Sequence, residues 1–107
     1  MAQAKNRTPM PETWYRASRW HRVLGNPQAY HVLKTLGRQR LDVSEVAARL
    51  GQRLNTISDT LRHLRQVDLV RYETRGRHKT YWIKDARIPA ILRMIERIVD
   101  RMRCKAW

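Results

Sequence analysis

Cysteine occurs once in the chain, at Cys104, and glycine only four times. A single cysteine excludes an internal disulfide and any zinc site built from several cysteines of one chain. No glycine-rich loop of the kind that cradles phosphate groups is present. No apolar run approaches the roughly 18 residues that mark a membrane span, and residues 1–9 carry no apolar segment of the secretory type. The expected compartment is therefore the cytoplasm. Acids are scarce too, nine Asp and Glu against 23 Lys and Arg, and most fall where helix caps and ion pairs would use them. No nucleophile, base and orienting group stand out together, so the sequence does not read as an enzyme and calls for no cofactor.

What is abundant is positive charge. The formal net charge is +14 on 107 residues with His neutral, which points to a polyanionic partner. Eighteen of the 23 cations are Arg, whose planar fork of donors suits phosphate and guanine edges better than the point charge of Lys. The length leaves room for one domain, since these most often run to about 100 to 150 residues, and 42% hydrophobic residues suffice for a small core. The charge is unevenly spread. Residues 1–40 hold eight basic and one acidic residue, 71–87 six and two, and 88–107 five and two, whereas 41–70 hold four of each.

Periodicity divides the chain into elements. Residues 1–10 are polar and read as a flexible basic arm carrying Lys5 and Arg7. Beyond Pro11, the residues Trp14, Ala17, His21 and Leu24 recur at helical spacing, with Arg16, Arg19 and Arg22 opposite. Asn26 followed by Pro27 is an N-cap with proline at the first helical position, and a short helix follows with Tyr30, Val32, Leu33 and Leu36 as its apolar contacts. Asp42 with Glu45 three residues later forms a capping box, ahead of a stripe of Val43, Val46, Ala47 and Leu50 that Gly51 ends. After a tight connection, Leu54, Ile57, Leu61 and Leu64 define the next helix, which turns Asn55, Asp59, Arg62 and Gln66 outward with Thr56 and His63 at the flanks. Two short helices joined by so brief a turn have the geometry of a helix-turn-helix.

Past Asp68 the period changes to alternation. Val70, Tyr72 and Thr74 point one way and Arg71 and Glu73 the other. Residues 75–78 form a turn around Gly76, and a second strand returns through Tyr81 and Ile83. A basic hairpin directly after a helix-turn-helix is a wing. The last segment, 88–107, carries Ile88, Ile91, Leu92, Ile95, Ile98, Val99 and Met102 at helical spacing, a stripe too long to hide in a monomer of this size. The expected fold is mainly α with a β-hairpin: a winged helix-turn-helix with its leading helix over 11–87, and a dimerisation helix over 88–107.

Residues 41–83, with the pieces VSEVAARLG, TISDTLRHL and DLV followed by the hairpin, closely resemble the winged helix-turn-helix of ArsR-type bacterial and archaeal transcriptional regulators. The upstream LGNPQAYHVLKTL, residues 24–36, looks like that family's second helix. Together the two stretches cover about 60 of the 107 residues. The resemblance implies a homodimer that binds an operator in double-stranded DNA and answers to a metal or another signal. It also implies an interface on the first and last helices, here Trp14, Ala17 and His21 with Ile91, Leu92, Ile95, Ile98, Val99 and Met102. Three features depart from the family. No cysteine lies near VSEV, no histidine lies on the last helix, and Asp68 stands where the family usually has Gly. The first two remove the family's familiar metal sites; Asp tolerates the left-handed conformation needed at the third.

For DNA contact the candidates are Asn55, Thr56, Ser58, Asp59 and Arg62 on the second helix of the unit, Arg53 at its entrance, and Arg75, Arg77 and Lys79 on the wing. Arg62 suits guanine and Asn55 adenine. Ser58 lies nearer the buried edge. A carboxylate facing DNA is repelled by phosphate, so Asp59 either accepts from a cytosine amino group or pairs with Arg62 three residues on, and the local pair is the favoured reading. Arg53 suits a phosphate, and a thin wing reaches a narrow groove that a helix cannot enter. His21, His31, His63, His78 and Cys104 match no ligand spacing, so no metal site is assigned; Cys104 could pair only with its own copy across a dimer. The function expected is a transcriptional regulator, with repressor as the expected mode. The competing class is an architectural, nucleoid-type protein that coats DNA with little sequence preference.

Overall fold

Short-range chemistry sets most of the element boundaries. The computed structural model describes residues 8–102. In chain order the elements are α1 (Glu12–Leu24), α2 (Pro27–Leu36), β1 (Leu41–Asp42), α3 (Val43–Leu50), α4 (Leu54–Gln66), β2 (Val70–Arg75), β3 (His78–Ile83) and α5 (Arg87–Met102). At the start of α2 the Ala29 amide donates to the Asn26 side chain at 3.1 Å, with Pro27 in the first turn where its missing N–H costs nothing. At α3 the capping box closes in both directions: the Glu45 amide donates to Asp42 Oδ1 at 2.8 Å and the Asp42 amide to Glu45 Oε1 at 3.2 Å. Gly51 then takes φ +64° and turns the chain into α4.

The exit from α4 needs the same left-handed backbone, and Asp68 supplies it at φ 65°. Its carboxylate accepts from Lys84 Nζ, while the Leu69 amide donates back to the Leu64 carbonyl at 3.0 Å. This lysine neighbour holds the Asp68 carboxyl below the ordinary carboxylate range. The hairpin closes with Arg75 opposite His78. Gly76, the first of the two central residues, has φ +60°, while Arg77 is not among the positive-φ residues. That is the type II′ pattern, which matches the twist of the paired strands.

One strand was not expected from the pattern. Leu41 pairs with Tyr81 and Asp42 with Thr80, making an antiparallel sheet of order β1-β3-β2. The residue that caps α3 therefore also anchors it to the wing.

Val32, Leu33 and Leu36 of α2, Val46 of α3, and Ile57, Leu61 and Leu64 of α4 close over Leu69, Val70, Tyr81 and Ile83. Full burial of such side chains is worth about 1.5 to 3 kcal/mol each. Two apolar residues lie elsewhere than their helical stripes predict. Leu54, expected inside, is 54% exposed, because the first turn of α4 projects beyond the core. Leu92, expected on the dimer interface, is 1% exposed: with Ile88 it faces inward and belongs to the protomer's own core. The stripe of α5 thus splits into an inner edge and an outer edge of Ile91, Met94, Ile95, Ile98, Val99 and Met102, all exposed. Helix α1 gives the core a buried Val23, with Leu24 packed partly against it. Among the described residues no helix is long and apolar enough to cross a membrane. Most of the expected basic arm, and Cys104, lie outside the described residues.

Candidate nucleic-acid interface

With Ile57, Leu61 and Leu64 turned inward, α4 presents Asn55, Thr56, Asp59 and Arg62 to solvent, with Ser58 half-buried at the edge. The hairpin rises beside it. Between the two runs a cleft of about 440 Å³ that brings together Asn55, Ser58, Asp59 and Arg62 from α4 and Arg77, His78 and Lys79 from the wing, with Leu54 and Ser44 on its walls. Residues about twenty apart in sequence are gathered because Tyr81 and Ile83 seal the hairpin's inner face onto the core. Arg53 and Thr56 stand exposed at the start of α4, outside this lining. Arg75 is turned away from it, towards Glu73 on its own strand at 3.4 Å.

The cations of this region fall into two groups. Arg62 is held by Asp59 at 3.2 Å, and Arg40 lies 3.8 Å from Glu73 while stacking 3.9 Å above the centre of the Trp82 ring. Among the described residues Arg53, Arg65, Arg77 and Lys79 have no carboxylate at ion-pair distance. In the cleft, Arg77 and Lys79 thus offer open positive charge beside an Arg62 paired with Asp59, with Asp42 also on the wall. No group of three or more His, Cys, Asp or Glu side chains is placed to hold a metal ion among the described residues. His21 Nδ1 lies 2.7 Å from the Ala17 carbonyl one turn back and is used within its own helix.

Sequence reasoning passed over His78, treated only as part of a turn, and Arg65, although its spacing of three from Arg62 on one helix was a usable sign. It also missed Ser44, whose place on the cleft wall depends on β1. Trp14, Ala17, His21, Ile91, Ile95, Ile98, Val99 and Met102, expected at the dimer interface, all lie exposed.

Compared by sequence, the chain matches no protein-family model and no curated protein. Compared by structure, it is similar to HlyU from Vibrio cholerae, with a TM-score of 0.74 at 21% identity over 83% of this chain and 97% of that one. It is similar as well to the homodimeric winged helix-turn-helix DNA-binding domain of Mb0332 from Mycobacterium bovis, described as a possible ArsR-family transcriptional regulator. There the TM-score is 0.75 at 21% identity, covering 85% and 84% of the two chains. NolR from Sinorhizobium fredii gives 0.71 at 21% identity over 86% and 96%. The fold is thus a winged helix-turn-helix, in the arrangement of the ArsR-type structures. At this identity the likeness is one of fold.

Proposed function

We propose that the chain is a transcriptional regulator, a repressor by mode, that binds an operator in double-stranded DNA as a homodimer. The observation that carries this reading is the cleft in which the readers of α4 and the open cations of the wing face one ligand space. In this reading α4 enters the major groove. Arg62, aimed by Asp59, donates to the O6 and N7 of a guanine, and Asn55 pairs with an adenine. Thr56 and Ser58 contact neighbouring base edges or phosphates, Arg53 takes a phosphate at the helix entrance, and Arg77 and Lys79 contact the backbone or the minor groove. Arg75 adds its charge from the outer face of the wing. The exposed apolar edges of α1 and α5 meet those of a second copy, as the homodimeric state of Mb0332 favours, setting two α4 helices about 34 to 36 Å apart in successive major grooves.

The net charge of +14 favours a second reading, an architectural protein that coats DNA. Titrating the protein with random duplex and with duplex from upstream of its own gene, across a range of salt, separates the two. A preference of about 10³ or more for the upstream DNA is the result expected of a regulator. Equal affinity at every salt would turn the reading to the architectural one.

A further inference from the structure

Three residues beside the cleft have a geometry that none of the roles above uses. Tyr72 on β2 lies directly across from Tyr81 on β3, and the two rings pack with centroids 5.3 Å apart. Tyr81 is buried, so it fixes Tyr72 as a stiff platform on the sheet face turned to α4. Two cations come to that platform from different elements. The Arg65 guanidinium, from the last turn of α4, sits 4.8 Å from the centre of the Tyr72 ring, and Lys79 Nζ, from β3, sits 5.1 Å from it.

An aromatic face holds a cation in place without cancelling its charge. A carboxylate at ion-pair distance partly offsets it, as Glu73 does for Arg75 and Asp59 for Arg62. Among the described residues neither Arg65 nor Lys79 has such a partner. Two positive charges drawn to one ring repel each other, and a small anion between them removes that repulsion. Both side chains are long, and each gives up rotamer freedom on binding; the ring has already restrained them, so less is lost when an anion arrives. The position is continuous with the reading surface, for Lys79 also lines the cleft and Arg65 follows Arg62 on α4 by three residues.

We infer that Arg65, Tyr72 and Lys79 form a seat for one phosphodiester of the DNA backbone, where a strand passes between α4 and the wing. The inference rests on the DNA-binding reading above. Arg65 donates its fork to two phosphate oxygens, Lys79 supplies a point charge from the other side, and Tyr72 is a positioning residue that aims both.

The test is the salt dependence of duplex binding, because each neutralised phosphate contributes about 0.9 to the slope of log affinity against log salt, and that slope does not change with the fraction of protein that is folded. Because both cations serve one phosphate, the double variant R65Q/K79Q should lower the slope by about 0.9 on random and upstream duplex alike, and each single change by part of that. Tyr72→Leu leaves both charges in place, so its slope should stay while affinity falls several-fold, and Tyr72→Phe, which keeps the ring, should bind as the parent does. If the parent binds duplex and R65Q/K79Q keeps the parent slope, the seat is wrong while the DNA-binding reading stands. If Y72F weakens binding as much as Y72L, the ring is not what positions the cations, and the seat is likewise overturned. If the parent itself binds no duplex, both fall together.

Discussion

The two outward surfaces of this protein are constructed in opposite ways. Along α4 and the wing, polar and charged groups stand on a floor of fully buried Ile57, Leu61 and Leu64, and their directions are set by ion pairs and ring contacts. Along α1 and the outer edge of α5 the apolar groups themselves are outside: Trp14 is 66% exposed and Ile98 50%. The first surface is finished within one protomer and, in the proposed reading, takes a polyanion. The second is unfinished, because apolar area of this extent marks an interaction site. Arg93, Arg97 and Arg101 are exposed on α5 to one side of this apolar edge, so what covers the edge can leave the guanidinium heads in water. A second copy of the same face, related by a two-fold axis as in the proposed dimer, would satisfy this by setting cations at the rim.

The largest expected effect breaks the contrast at its base. Leu61→Ala removes a side chain with no exposed surface from beneath the reading face. It should lower unfolding stability by about 2 to 5 kcal/mol, measured by urea denaturation, and a loss below about 1 kcal/mol would mean the floor of α4 is not rigid. Ile95→Asp addresses the other surface. Ile95 is 39% exposed in one protomer, so the change should leave the protomer folded while converting the dimer to monomer in sedimentation. Burying that carboxylate without a partner costs several kcal/mol, about two orders of magnitude or more in dimer affinity. A dimer that persists would remove α5 from the interface. Two arginine changes then sharpen the division of labour inside the cleft. Arg62→Ala should cost about 1 to 3 kcal/mol of discrimination at one base pair, whereas Arg77→Ala should weaken binding to all duplexes alike. Competition with single-base variants of the operator distinguishes them, and equal losses on every sequence for both would deny Arg62 a reading role.

What could be read from the sequence follows the same boundary between local and distant chemistry. The Asn26–Pro27 start, the Asp42–Glu45 box and the pairing of Asp59 with Arg62 each lie within four residues, and so does the Gly76 turn. The left-handed exit at Asp68 was legible for a similar reason, since the choice of backbone region is made residue by residue. Leu92 was misassigned because periodicity gives the width of an apolar stripe and not which edge the rest of the chain covers. Leu54 failed likewise: its spacing fits the stripe, yet it faces the open cleft between α4 and the wing. Strand β1 is two residues long and exists only through Tyr81 and Thr80, about forty residues later. The contacts of Arg65 and Lys79 with Tyr72 need the register of the hairpin before they can be drawn. The contact between Tyr30 and Glu96 is of this distant kind too.

Tyr30 carries the smallest of the expected effects and bears on how the two surfaces are joined. Its hydroxyl donates to Glu96 Oε2 at 2.5 Å, and Lys34 Nζ donates to Oε1 at 2.9 Å, so both side chains of α2 hold one carboxylate of α5. Burial, together with the Glu96 carboxylate, pushes the Tyr30 phenol up to about 12. The hydrogen bond from Tyr30, then that from Lys34, holds Glu96 below the ordinary carboxylate range. The signs are opposite at the two ends of the scale. A carboxyl lowered by folding stabilises the fold above its unfolded value, near 4.3, and loses that contribution as pH falls through the folded value. A phenol raised by folding stabilises below about 10 and loses its contribution as pH rises through about 12. Tyr30→Phe removes the phenol and the larger cause of the Glu96 shift. It should cost about 1 kcal/mol near neutral pH, and the gap from the parent should narrow as the pH is lowered and Glu96 takes up its proton. Urea melts at pH 3 and pH 7 measure this, and a gap of constant size would show that Tyr30 acts by packing alone. Because the tie lies beside the buried Leu92 edge, the same variant should change dimer affinity far less than Ile95→Asp. A comparable loss would mean that α2 sets the pose of the outer face of α5, and that the two surfaces are mechanically one.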